Sequence, residues 1–251
     1  MDWLSEAQAQ LLAPKYLGWL LDGWRTTIGS ALIVIVASTA LGLPFAAARS
    51  SARAGLRRAA ALYVSLFRNT PLLVQLFFWY FGAPALLPEA AREWLNAGHA
   101  ITLAGLTLRW PSFEFLSAIV GLVLYATAYV GEEIRAGIRG VQQTQVHAGL
   151  AMGFTPSQVQ RHVVLPQAVR IALPPLFGQY MNIVKNTSLA MAVGLVELSY
   201  TSRQVEADTF KTFQAFGFAT LFYILTIALL EVLGSRASKI AQRPFAARAQ
   251  R

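Results

Sequence analysis

The chain has 251 residues, 55% of them hydrophobic and only 13% charged, and its mean hydropathy is +0.47. So apolar a composition predicts an integral membrane protein with one membrane domain rather than a soluble enzyme. The net charge of +9 raises nucleic acid as a partner, but the cations sit beside apolar runs, which favours a membrane; the lack of cysteine excludes disulfides, thiolate metal sites and thiol catalysis.

In chain order, residues 1–26 mix apolar and polar residues with Pro14, Gly18, Gly23 and three tryptophans, and predict an amphipathic segment on the outer membrane surface. MDWLSEAQAQ lacks the basic region of a cleavable signal, so the first span is expected to stay in the mature protein. The uncharged run Ile28 to Phe45 is long enough to cross about 30 Å of hydrocarbon. Together with later runs it predicts five spans, at about 27–48, 60–87, 113–134, 171–198 and 213–235, within a domain 27–237 followed by a basic tail 238–251. Glu89 to Trp110 and Ser199 to Thr212 read as outer connections.

Three stretches collect the arginines: Arg49, Arg53, Arg57 and Arg58; Arg135, Arg139, Arg161 and Arg170; and Arg236 to Arg251. The positive-inside rule makes all three cytoplasmic. Five spans with the N-terminus outside and the C-terminus inside satisfy the three clusters at once. The acidic residues of the other loops, among them Asp22, Glu89, Glu206 and Asp208, agree with an outer face.

The cytoplasmic segment 139–170 reads as folded. A helix through Ala148, Leu150 and Met152 should end at Gly153 in the left-handed conformation. Thr155-Pro156-Ser157-Gln158 has capping-box spacing with proline at the first helical position, so a second helix should start there. Pro166 is expected to end or bend it. Two short helices on a glycine hinge suit a lever that docks into a partner; an ordinary cytoplasmic loop is the plainer alternative.

Spans two and four carry similar polar inserts, Arg68-Asn69-Thr70-Pro71 and Lys185-Asn186-Thr187-Ser188. Transporters place substrate where polar residues interrupt corresponding helices, which makes Arg68, Asn69, Thr70, Lys185, Asn186, Thr187 and Ser188 candidate pathway residues, with the two cations holding a carboxylate. The alternative is structural: the cations snorkel to headgroups or pair with Glu132, Glu133 or Glu197. Glu197 reads as a gate or interface residue. No G-x-x-x-x-G-K-[ST] loop exists, so ATP hydrolysis by that route is excluded. His99, His147 and His162 lack metal-ligand spacing, and Ser188 has no partnered histidine in sequence. A small intramembrane enzyme working through Lys185 or Glu197, or a non-transporting scaffold, are the readings from other classes.

Ala148, Gly153, Val163, Leu165 and Pro166 match in register the signature loop of bacterial ABC importer permeases, which the segment Ala148 to Pro166 resembles. The stretches Phe67 to Phe77, Leu165 to Pro175, Asn182 to Leu189 and Val193 to Leu198 look like the polar amino acid permeases, and the Lys185-Asn186 pair looks closest to the glutamate/aspartate branch. The resemblance implies an all-α, type I permease fold of five spans in the bacterial inner membrane. The implied substrate is a polar, acidic amino acid, with glutamine or arginine as alternatives. The implied partners are a second permease subunit, identical or a sister chain, and a periplasmic or tethered amino-acid-binding protein. ABC ATPase subunits carry the ATP and Mg, with no cofactor on this chain. Membrane lipid is the surrounding solvent, and no nucleic acid is expected. In the family the two-helix loop fits a cleft on the ATPase, which makes His147, Ala148, Gly149, Gly153, Arg161, Leu165 and Pro166 the coupling residues. His147 stands where Glu is usual, which should alter the pH dependence of its contact. Gly149 replaces Ala at a cost of about 0.5–1 kcal/mol of helix stability.

Overall fold

A computed structural model describes residues 12–103 and 106–246. In chain order the helices begin with α1 (Pro14–Arg49), α2 (Ala54–Arg68) and α3 (Leu72–Phe77). A π-helical turn, Phe78–Gly82, joins α3 to the short α4 (Ala83–Ala85), and α5 (Glu89–Asn96) follows. Strands β1 (Ala100–Leu103) and β2 (Leu106–Arg109) form one antiparallel hairpin. Then come α6 (Phe113–Arg139), α7 (Gln143–Ala151) and α8 (Pro156–Val159), which a second π turn, Gln160–Val164, joins to α9 (Leu165–Asn186). A 3₁₀ segment, Thr187–Val193, leads to α10 (Leu198–Thr209) and α11 (Thr212–Ala246).

The fold is that of an all-α membrane protein apart from the hairpin, which lies with α5 in the stretch read as a loop. Three helices, α1, α6 and Thr212–Gln242 of α11, are long and apolar enough to cross a membrane. The pair formed by α2 with Leu72–Ala85 passes the same test as one span bent by 102°. Helix α9 falls outside that set because Gln167, Arg170, Gln179, Asn182 and Lys185 dilute its apolar face.

Several boundaries differ from those expected. Helix α1 runs unbroken through residue 26, because nothing between Pro14 and Pro44 interrupts its hydrogen bonding; the segment 1–26 is therefore not separate beyond Pro14, and residues 1–11 lie outside the described residues. Residues 199–209 are helical, capped by Glu197, rather than a loop. The α-helix of the fourth apolar stretch ends at Asn186, short of residue 198. Helix α11 enters the basic tail as far as Ala246; residues 247–251, with Arg248 and Arg251, are outside the described set.

Pro166 neither ends nor breaks the second helix of the 139–170 segment. A proline cannot donate and crowds the carbonyl four residues back. The π turn widens the helix just before it, with Leu165 N–H donating to Gln160 O five residues earlier. Pro84 is accommodated in the same way, Ala83 N–H donating to Phe78 O at the end of the first π turn. The result is one continuous helical run from Pro156 to Asn186, with Pro174 and Pro175 inside it.

The chain divides into two compact units. One comprises the chain up to Val34 with Thr70–Tyr125 and Val184–Ile224; the other comprises Ile35–Asn69, Ala126–Ile183 and the chain from Leu225. The chain passes from one to the other five times; the passage at 69/70 falls inside the first polar insert, and that at 183/184 falls just before the second. The first unit is centred on Leu20, Leu198, Val205, Ala215 and Ala219, with Trp24 stacked on Phe222 at 5.7 Å. Among the described residues this unit carries seven cationic and seven acidic side chains, whereas the second carries twelve cationic ones against Glu132, Glu133 and Glu231.

Candidate functional site

The segment between α6 and α9 belongs wholly to the second unit and has its own small core of Val141, Val159, Val164 and Ala168, with Ile138, Val146 and Val163 packed on it. Its two helices turn at Gly153, whose φ of +88° is strained for any residue with a Cβ. The capping box is complete: Thr155 Oγ1 accepts from Gln158 N–H at 3.3 Å, and Gln158 Oε1 accepts from Thr155 N–H at 2.8 Å. Gln167 donates to Gln145 and, at 2.9 Å, to Val163 O, tying α7 to the start of α9. Helices of four and nine residues are too short to hold alone, so these ties make the segment an ordered arm.

Of the residues singled out on this arm, His147, Ala148, Gly153, Arg161, Leu165 and Pro166 are exposed. Gly149 instead faces inward, and its missing side chain allows α7 to close on Val159. Leu165 also borders a half-enclosed apolar cavity of about 500 Å³ with Thr39, Leu43, Ile134 and Ile138. What the sequence reading omitted is the apolar tip: Leu150, Met152 and Phe154 are 41, 70 and 38% exposed, and Phe154 lies against His162 with ring centroids 6.5 Å apart. Apolar residues presented on an ordered arm are what a docking knob requires.

The two polar inserts differ. At the first, α2 ends and the chain bends; Asn69 Nδ2 donates to Ser65 Oγ at 3.0 Å, and Gln75 Nε2 donates to Thr70 Oγ1 at 2.6 Å and to Thr70 O at 3.1 Å. Arg68 is exposed, with its guanidinium 5.0 Å from the centre of the Tyr129 ring. At the second, the α-helix tightens into a 3₁₀ segment without a break. Thr187 is buried and donates to Val184 O at 2.8 Å, while Ser188 donates to Lys185 O at 2.7 Å, so both hydroxyl protons are used by their own helix. Lys185 is exposed and, like Arg68, has no acidic side chain within 4.0 Å among the described residues. The ion pairs with Glu132, Glu133 or Glu197 raised for these cations are thus absent. Glu132 instead accepts from Arg49 Nε and Arg135 Nε, each at 2.9 Å, and Glu133 accepts from Gln179 at 3.3 Å.

Glu197 has a structural place that its sequence position left open. It is fully buried and caps α10: Oε1 accepts from Tyr200 N–H at 2.9 Å, and Oε2 accepts from Tyr223 OH at 2.8 Å and Thr27 Oγ1 at 3.3 Å. Thr27 Oγ1 in turn accepts from Leu198 N–H at 3.1 Å. One carboxylate thereby joins α1, α10 and α11 within the first unit. No group of three or more His, Cys, Asp or Glu that could hold a metal occurs among the described residues.

An ordered arm, long apolar helices and exposed cations at the two polar inserts are the features to compare with known proteins, and the comparison gives a membrane transport subunit. Residues 38–243 match the family of binding-protein-dependent transport system inner membrane components, and the chain belongs to that family. It is 34% identical over 234 residues to the glutamate/aspartate import permease protein GltJ of Escherichia coli strain K12, covering 92% of this chain and 91% of that protein. It is 36% identical over 210 residues to the probable glutamine ABC transporter permease protein GlnM of Bacillus subtilis strain 168, covering 83% and 87%. A crystal structure of an amino acid ABC transporter with histidines shares the fold, with a TM-score of 0.74 at 23% identity over 90% of this chain and 95% of that one.

Proposed function

We infer that this chain is one of a pair of permease subunits that import a polar amino acid of the glutamate/aspartate type across a bacterial inner membrane. The observation that carries the reading is the ordered arm, continuous with the helix that ends at Lys185-Asn186. Displacement of the arm by a partner passes along this unbroken helical run, through Pro174 and Pro175, without a separate linkage. Closure of two ATPase subunits, which hold the ATP and Mg, therefore moves the arm and with it the second polar insert, giving alternating access. His147, Leu150, Met152 and Arg161 face the ATPase.

The three arginine clusters, at 49–58, 135–170 and from 236 onward, support a cytoplasmic face for those stretches and five spans with the N-terminus outside. Arg68 and Lys185, neither ion-paired within the described residues, supply cations for a carboxylate, and Asn69, Thr70 and Asn186 supply neutral hydrogen bonds. Ser188 contributes through its oxygen, since its proton is committed to the helix, and Thr187, fully buried, holds the segment in place. Ligand arrives from a periplasmic or tethered binding protein.

The relative named for glutamine, as similar as the one named for glutamate and aspartate, favours glutamine as a second reading. The test is uptake of labelled glutamate by the reconstituted complex with its ATPase and binding protein. Competition by aspartate and loss of uptake in Lys185→Ala support the acidic substrate; preferential competition by glutamine moves the assignment to the second reading, and preferential competition by arginine overturns both.

A further inference from the structure

Outside the arm and the polar inserts, the second unit has a groove of about 750 Å³ where the end of α1 meets α2. Its walls are apolar, formed by Pro44, Phe45, Ala48, Leu56, Ala59 and Tyr63, with Phe45 stacked on Tyr63 at 4.3 Å. Arg53, Arg57 and Arg58 neighbour its lining residues in sequence, and the Arg57 guanidinium reaches its Ser51. Ser51 lines the groove, and its carbonyl accepts from Arg57 Nη1 at 3.0 Å while its Oγ accepts from Arg53 N–H at 3.1 Å. Arg53, Arg57 and Arg58 are all exposed, and none has an acidic side chain within 4.0 Å among the described residues. No Asp or Glu occurs in the sequence between Asp22 and Glu89 to neutralise them. Neighbouring Arg49 is already committed to Glu132.

Helix α2 adds a second source of positive potential. It starts at Ala54 with no side chain from its N-cap residue, Arg53, capping its first turn, and a Cβ on Gly55 would meet nothing within 4 Å, so the space beside the first turn is open at that position. An uncapped helix start beside three arginines attracts a phosphate. An apolar groove leading away from that point holds a hydrocarbon chain, and its volume is in the range of ligand pockets. Few ligands combine the two features; one that does is the solvent of this protein, a phospholipid with an anionic headgroup.

We propose that the groove between α1 and α2 is a binding site for an anionic phospholipid, with the headgroup phosphate on Arg53, Arg57, Arg58 and the start of α2 and an acyl chain along Phe45, Leu56 and Tyr63. A polypeptide segment is disfavoured because the groove walls offer little besides Ser51 to pair its backbone groups.

The test is native mass spectrometry of the assembled transporter released from bilayers containing phosphatidylglycerol and phosphatidylcholine. The wild type retains phosphatidylglycerol in preference to phosphatidylcholine, and free glycerol phosphate does not displace it. Each arginine changed to Gln lowers retention about fivefold, and the triple variant about a hundredfold. Ala59→Phe, which fills the groove and keeps every charge, also abolishes retention, whereas Arg92→Gln, in the other unit, leaves it unchanged. Equal retention of the two lipids, retention unaltered in both the triple variant and Ala59→Phe, or a photoreactive residue at 59 that captures protein instead of lipid overturns the proposal. None of these outcomes depends on transport, so the result stands apart from the assignment of substrate.

Discussion

Gly149 of α7 lies against Val159 of α8, and a Cβ on the glycine would stand 3.0 Å from Val159 Cγ2. Val159 is itself buried, and its branched side chain has little rotational freedom with which to give way. The helix propensity lost at Gly149 is therefore offset by closer packing of the arm. Gly149→Leu should destabilise the purified complex by about 1–3 kcal/mol in chemical unfolding, and Val159→Ala in the same chain should recover part of the loss. Additive losses in the double variant would contradict the contact.

Gly153 presents a different constraint. A Cβ there meets nothing within 4 Å, so the whole cost of Gly153→Ala lies in the backbone, about 1–2 kcal/mol for the left-handed conformation. Gly153→Asn should cost less, because asparagine tolerates that region. The order Gly, Asn, Ala should appear both in unfolding and in uptake; an alanine variant as active as wild type would show that the turn is not needed in that shape.

The Glu197 network predicts a graded loss of stability. Tyr223→Phe removes two hydrogen bonds, to Glu197 Oε2 and to Ser199 Oγ, and should cost about 1–3 kcal/mol. Glu197→Ala strands the Tyr200 N–H and the Thr27 hydroxyl proton and leaves the Tyr223 hydroxyl with Ser199 alone, and should cost about 3–5 kcal/mol. Glu197→Gln should lie between them, since its amide oxygen can still cap α10 and its amide nitrogen can donate to the two hydroxyl oxygens. Equal melting of the Gln and Ala variants would contradict this.

Two carboxylates with three ion pairs between them allow a direct contrast. Glu132, mostly buried, accepts from both Arg49 and Arg135, and Glu132→Ala should cost about 1–3 kcal/mol by leaving two cations short of an acceptor. The Asp22–Arg25 pair is exposed, and Asp22→Ala should change stability by less than about 1 kcal/mol. Unfolding of both variants at low and high salt checks the order.

Much of this was legible from sequence because it is local. The glycine stop at 153 and the capping box at Thr155 to Gln158 depend on residues within four positions of one another, and both stand where their spacing puts them. The apolar runs around Ile28, Phe113 and Phe213 were legible for the same reason. What escaped is what long-range contact or hydrogen-bond slack decides. A π turn has no residue signature, so nothing at Gln160 to Val164 announced that Pro166 would be absorbed. Glu197 is a less usual helix cap than Ser or Asp, and its partners Thr27 and Tyr223 are far away in sequence. The hairpin at 100–109 escaped because a strand pair this short carries only a brief alternation. At the two polar inserts the cations and asparagines were recognisable by charge and polarity, but the buried, self-bonded hydroxyl of Thr187 was not.

The central claim is that the exposed tip of the arm transmits ATP-driven motion. It is tested most directly by measuring ATP hydrolysis and amino acid uptake together in proteoliposomes carrying Met152→Asp or Arg161→Glu. The account predicts membrane insertion as for the wild type, with uptake per ATP hydrolysed reduced about tenfold or more, the effect of losing about 1.4 kcal/mol of contact at the tip. Uptake and hydrolysis both unaltered in the two variants would contradict it.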